Sequence, residues 1–206
     1  MKTRLATLAL ASVALACADN GASLQPFAIC SPPDSATECV FDDACETVHM
    51  GPLMMDPGLA SMSVFLQVNN QLPNNEDLSA GRLNTNDAYV TEYEVEWEGP
   101  ATIGDVVGQT QAMVPAGGST IVGLLLQRPA AAGQVVAKLR LKGHYADQSE
   151  FETAAYETPL IVGAVPPPVC PTGELLKGTC GGSVGQVPLG FECEAPDTTT
   201  TTPTTP

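Results

Sequence analysis

Positive charge is scarce in this chain: eight Lys and Arg stand against twenty-three Asp and Glu in 206 residues, a formal net charge of −15. A field of that sign repels nucleic-acid phosphates, and no Lys/Arg cluster interrupts it, so nucleic acid is excluded as a partner. Histidine is nearly absent too. The two examples, His49 and His144, lie in unlike contexts, one in a cysteine-rich flank and one at the end of a basic strand. No G-x-S-x-G elbow, H-E-x-x-H helix, phosphate loop or dinucleotide fingerprint occurs, nor any Asn-x-Ser/Thr sequon. No apolar run reaches the roughly 20 residues that a bilayer core about 30 Å thick demands of a helix. These absences identify no reaction, and no catalytic residues are assigned.

What is present begins with MKTRLATLALASVALACADN. Lys2 and Arg4 form a short basic region, and Leu5 to Ala16 an apolar run ending in small side chains. The run reads as a processed export signal, residues 1–16. Two cuts fit. Ala14-Leu15-Ala16 satisfies the small-x-small rule of ordinary signal peptidase, while the same residues followed by Cys17 resemble the lipobox of bacterial lipoproteins, with Ala14 where the commonest form has Leu. The resemblance implies acylation of Cys17 (a palmitate-type anchor), and Ala18 after it implies the outer membrane of a Gram-negative-type envelope. Plain secretion is the alternative. Removal of residues 1–16 leaves six basic against twenty-three acidic side chains, a formal charge of −17.

Seven cysteines occur, at 17, 30, 39, 45, 170, 180 and 193. If Cys17 carries lipid, then Cys30, Cys39, Cys45, Cys170, Cys180 and Cys193 are disulfide candidates in an oxidising compartment. Three lie in each flank, so full pairing requires at least one bridge between the flanks.

Composition divides the mature chain into a cysteine-containing amino-terminal flank (17–58), a cysteine-free core (59–165), a disulfide-tied carboxyl-terminal flank (166–194) and a tail (195–206). The tail, PDTTTTTPTTP from Pro196, has no apolar group to bury and is expected to be disordered. The carboxyl flank has too few apolar side chains to fold without crosslinks, and its cysteine spacing fits neither a redox Cys-x-x-Cys nor a zinc knuckle.

The core reads as strands. In YVTEYEVEWE, period-two alternation sets Tyr89, Thr91, Tyr93, Val95 and Trp97 on one face and Glu92, Glu94, Glu96 and Glu98 on the other. QVVAKLRLK repeats the alternation with Val135, Ala137, Leu139 and Leu141 against Lys138, Arg140 and Lys142, so that adjacent placement would face glutamates with cations. SMSVFLQVNN, STIVGLLLQR, EFETA and TPLIV are further strands, with Met62, Val64, Leu66 and Val68 inward. The connections are too short for helical crossovers. An all-β, antiparallel β-sandwich of immunoglobulin-like shape with disulfide-rich flanks is expected. The stretches GRLNTNDAYVTEYEVEWEGP and VPAGGSTIVGLLL resemble exported myxobacterial lipoproteins of uncharacterised function, which implies export and no activity.

Two metal readings remain as alternatives. His49, Met50, Met54 and Met55 place an imidazole and three thioethers within seven residues, a soft set suited to copper(I), or else plastic apolar filling beside prolines. Asn74, Asn75, Glu76 and Asp77, with Asn84, Asn86 and Asp87, supply oxygens for calcium, or else serve as turn formers. The glutamates of residues 92–98 are expected on a solvated strand face, where nothing would raise a carboxyl pKa for glycoside chemistry. The expected function is a cell-envelope lipoprotein acting as a structural or binding module, with no cofactor. Its partners would be the bilayer, through Cys17, and an envelope protein or glycan. A secreted hydrolase or a metal-binding protein is the competing class.

Overall fold

A computed structural model describes residues 23–31, 45, 48–99, 104–130, 132–165, 167, 169–179 and 191–195. The alternating stretches of the core are strands: β3 (Ser61–Asn70), β4 (Ala88–Glu98), β6 (Ser119–Gln127), β7 (Gly133–Tyr145), β8 (Glu150–Glu152) and β9 (Tyr156–Val162). Five others come from stretches with weaker alternation: β1 (Leu24–Ile29), β2 (Leu53–Met55), β5 (Val106–Val114), β10 (Leu175–Thr179) and β11 (Phe191–Glu194). The fold is all-β.

Besides a two-stranded sheet of β10 and β11 there are two larger ones, one of order β1-β3-β6 and one of order β2-β9-β7-β4-β5 with β8 beside the upper part of β7. Both curl round one core as an open half-barrel. Met62, Val64, Leu66 and Val68 of β3 lie inside as their spacing requires, facing Val135, Ala137, Leu139 and Leu141 of β7. Among the described residues pairing is antiparallel except at β2, which runs parallel to β9. A distant flank segment can take either direction along an edge, whereas a short hairpin cannot. That is the one departure from the expected antiparallel arrangement.

A second departure decides the surface. Along β4, Ala88 and Val90 are buried, then Tyr93, Val95 and Trp97. The inward phase therefore switches from even to odd, and Tyr89 and Thr91, expected inside, face out. The cause is a β-bulge. Between Val90 and Glu92 the register against β7 advances by two residues on β4 but one on β7, so Thr91 has no partner there. Gly143, opposite Val90, permits the close approach: a Cβ at this position would lie 2.0 Å from the Tyr89 carbonyl oxygen.

The sheets meet where β5 turns into β6 through Pro115–Gly118, with Gly117 at φ 69°. Thr110 donates to the Gly123 carbonyl (3.0 Å) and Thr120 to the Met113 carbonyl (2.8 Å). Tyr93 reaches across β5: its hydroxyl donates to the Leu125 carbonyl (3.0 Å) and accepts from the Leu125 N–H (3.2 Å). The buried Asn70 closes the upper end, donating to the carbonyls of Asn86 (2.7 Å) and Val114 (3.2 Å).

Among the described residues two disulfides form, Cys30–Cys45 and Cys170–Cys193, each within one flank. Closing loops of 15 and 23 residues, they stabilise by about 3 kcal/mol each on the chain-entropy scale. Cys17, Cys39 and Cys180 lie outside the described residues, as do the export signal and residues 196–206. In the carboxyl flank β10 and β11 pair antiparallel, with Lys177 bonded to Glu192 at 2.9 Å. No helix among the described residues is long and apolar enough to cross a membrane.

Candidate functional site

The pairing of β4 with β7 sets Glu92 opposite Lys142, Glu94 opposite Arg140 and Glu96 opposite Lys138. The ion pairs run one step diagonally. Lys142 bonds Glu94 (2.7 Å), Arg140 bonds Glu96 (3.2 Å) and Lys138 bonds Glu98 (2.9 Å). Hydrogen bonding from Lys142 holds the Glu94 carboxyl below its ordinary range, and Lys138 does the same for Glu98. Reciprocally, Lys142 and Lys138 are raised by the carboxylates they bond. Each pair is open to water and individually weak.

The diagonal offset has a consequence at the bulged end. Glu92 lies opposite a lysine that is already bonded to Glu94, while Glu152, across β7, reaches Lys142 only at 3.9 Å. Glu150 sits opposite His144. Glu92, Lys142, His144, Glu150 and Glu152, with Thr91 and Phe151, border a groove of about 500 Å³ across β4, β7 and β8. A second depression of about 400 Å³, lined by Gln109, Thr110 and Gln111 of β5, meets it at Thr91. His144 is stacked on Tyr89, ring centroids 5.4 Å apart and planes 24° from parallel. Its Nδ1 lies 3.0 Å from the Tyr145 carbonyl. The bulge creates this juxtaposition by turning Tyr89 and Thr91 outward onto the glutamate face.

The stretches 74–77 and 84–87 do meet, joined by Asn75 Nδ2 donating to Thr85 Oγ1 (2.7 Å) and Thr85 N–H donating to Asn75 Oδ1 (2.9 Å). Their oxygens serve the loop itself. Asn74 accepts from the Glu76 N–H (2.8 Å), Asp77 from Ser79 (2.7 Å) and Ala80, and Asn84 from the Asn86 N–H (3.0 Å). Asp87 accepts from Asn84 (2.6 Å) and from the Ala116 N–H (2.9 Å), and Asn86 donates to the Pro73 carbonyl (2.7 Å). The Ser79 and Ala80 donors hold the Asp77 carboxyl below its ordinary range.

The sulfur set is not brought together. Met55 is buried in the core, Met54 leaves the opposite face of β2, and Met50 is 87% exposed. The His49 Nε2 lies 3.3 Å from the Pro52 carbonyl in its own turn. No group of three or more His, Cys, Asp or Glu stands close enough to hold a metal among the described residues.

Sequence alternation located Glu92, but not Thr91, Gln109 or Glu150 as its neighbours. The signal available was the lone glycine in KLRLKGHY: a glycine interrupting a strand marks a bulge or a close backbone approach. No family model matches the chain, and none of the curated proteins or solved structures matches it.

Proposed function

We propose that this protein is an exported cell-envelope lipoprotein, anchored in the outer membrane through Cys17, and that its sheets form an immunoglobulin-like sandwich acting as a non-catalytic structural or binding module. The observation that carries the reading is the oxidised pair Cys30–Cys45 with its Cys30 end buried beside β1, because such bridges persist in exported proteins and are reduced in the cytosol. The lipobox-like ALAC start supports the anchor, and the cysteine parity supports a lipidated Cys17. The two histidines support a non-catalytic role: each has a ring nitrogen near a backbone carbonyl, and they lie on separate elements. The grooved acidic face supplies a surface to which an envelope protein or glycan can bind.

The test is the intact and peptide mass of the protein taken unreduced from its native membrane fraction. A chain beginning at acylated Cys17 and lacking six hydrogens is expected. An unmodified start at Cys17 or beyond refutes the anchor and leaves secretion.

A further inference from the structure

We infer that the two depressions meeting at Thr91 form one trough that binds a chain of amino sugars bearing free ammonium groups. The inference rests on the binding-module reading and goes further by naming the ligand class.

The trough runs across β5, β4, β7 and β8, three strand spacings or about 14 Å, room for a short oligosaccharide. Charge selects the sign of the ligand. Glu92, Glu150 and Glu152 border the groove, and its lysine, Lys142, is bonded at 2.7 Å to Glu94. The surplus is negative, set in a chain of net charge −15, so phosphorylated and uronic-acid glycans are repelled and ammonium groups attracted.

Charge alone would suit any cation; the remaining groups suit a sugar. Gln109 and Gln111 present carboxamides, each both donor and acceptor, and Thr91 a hydroxyl, the chemistry that pairs with sugar hydroxyls. Phe151, partly buried in the groove lining, adds an apolar surface for the C–H side of a pyranose ring. A divalent cation is disfavoured by the spacing of the carboxylates. A basic peptide would neutralise the same glutamates, so oligolysine stands beside the sugars in the test.

The experiment is calorimetric titration of the disulfide-intact protein with glucosamine oligosaccharides, their N-acetylated counterparts and oligolysine. Glucosamine chains are expected to bind, weakening as salt screens the charges, and the N-acetylated chains to bind at least roughly tenfold more weakly. The double variant Glu150→Gln/Glu152→Gln is expected to lose roughly tenfold in affinity with its melting temperature retained, and Gln109→Ala/Gln111→Ala several-fold. Equal binding of the N-acetylated chains, equal binding of oligolysine, or no binding of glucosamine chains overturns the inference. In each of these cases an acylated Cys17 in the membrane fraction leaves the envelope reading standing, whereas an unacylated protein refutes that reading whatever the titration shows.

Discussion

Substitution of Gly108 by Ala should be far more costly than a glycine-to-alanine change in a strand ordinarily is, and Tyr93 is the reason. Gly108 pairs directly with Tyr93 across β4 and β5, and the tyrosine ring lies over it on the way to β6. A Cβ at 108 would sit 2.1 Å from Tyr93 Cζ and 2.3 Å from its hydroxyl. Ordinary contact is about 3.5 Å or more, so the ring must move by more than an ångström. It has little freedom, being buried in the core and tied at its tip to both polar atoms of Leu125. Overpacking costs about 1–3 kcal/mol, and loss of the two hydrogen bonds about 1 kcal/mol more. A total near 3 kcal/mol corresponds to a fall in Tm of about 6–12 °C for a chain of this size. Chemical denaturation of the wild type, Gly108→Ala, Tyr93→Leu and the double variant forms a cycle that isolates the cause. With Leu at 93 the alanine methyl has space, so Gly108→Ala there should be neutral or mildly stabilising, a coupling of about 2–3 kcal/mol. An equal cost of Gly108→Ala in both backgrounds would refute the steric account.

Gly143→Ala should also destabilise strongly, because the obstacle is the Tyr89 backbone carbonyl 2.0 Å from the new Cβ and cannot be relieved by a rotamer change; hydrogen exchange should show the loss concentrated at the β4–β7 bulge. Among the described residues the indole N–H of Trp97 is buried without an acceptor, so Trp97→Phe should change stability by no more than about 1 kcal/mol, the smaller ring being offset by removal of an unsatisfied donor, whereas Trp97→Ala should cost about 3–5 kcal/mol by urea denaturation. The lowered carboxyls of Glu94 and Glu98 contribute stability that is complete above the ordinary value of 4.5 and lost as pH falls through their lowered values. Lys138 and Lys142 contribute stability that is complete below 10.5 and lost as pH rises through their raised values. Thermal melts should therefore show a plateau between these limits with a shallow fall on either side, flattened by salt. With Cys17 acylated as proposed, the two observed bridges leave one candidate cysteine in each flank, so non-reducing peptide mapping should yield a Cys39–Cys180 crosslinked peptide.

The strands most easily read from sequence were those whose two faces meet different solvents. SMSVFLQVNN and VVAKLRLK alternate because β3 and β7 each have one face on the core and one in water, and the predicted facing of glutamates and cations follows from the β4–β7 register. β5 was harder: its segment VVGQTQAMV lies mostly in partial exposure with Gly108 at the one place a ring must pass, which removes the apolar signal where it would have been strongest. β2 is three residues long, and its strand character depends on β9, about a hundred positions later in the chain. The curl of the two sheets is set by tertiary contacts such as Tyr93 to Leu125, which no local period encodes.

The trough illustrates a deeper reason for partial legibility. Period-two reasoning assumes one phase per strand, and over residues 93–98 that assumption holds for every residue of β4. It fails between Val90 and Glu92 because one extra residue costs little at a glycine and reverses the facing of everything before it. The reversal carries Tyr89 out of the core and sets its ring on His144. It also places Thr91 and Glu92 on the same surface, next to a lysine held by Glu94. An unbroken strand would have buried Tyr89 and left the glutamate ladder uniform to its end. The irregularity that hid the surface from sequence reasoning is therefore also what makes one end of the ladder chemically different from the other, so repairing the phase should abolish the proposed amino-sugar binding in the calorimetric titration while preserving the pairing below it.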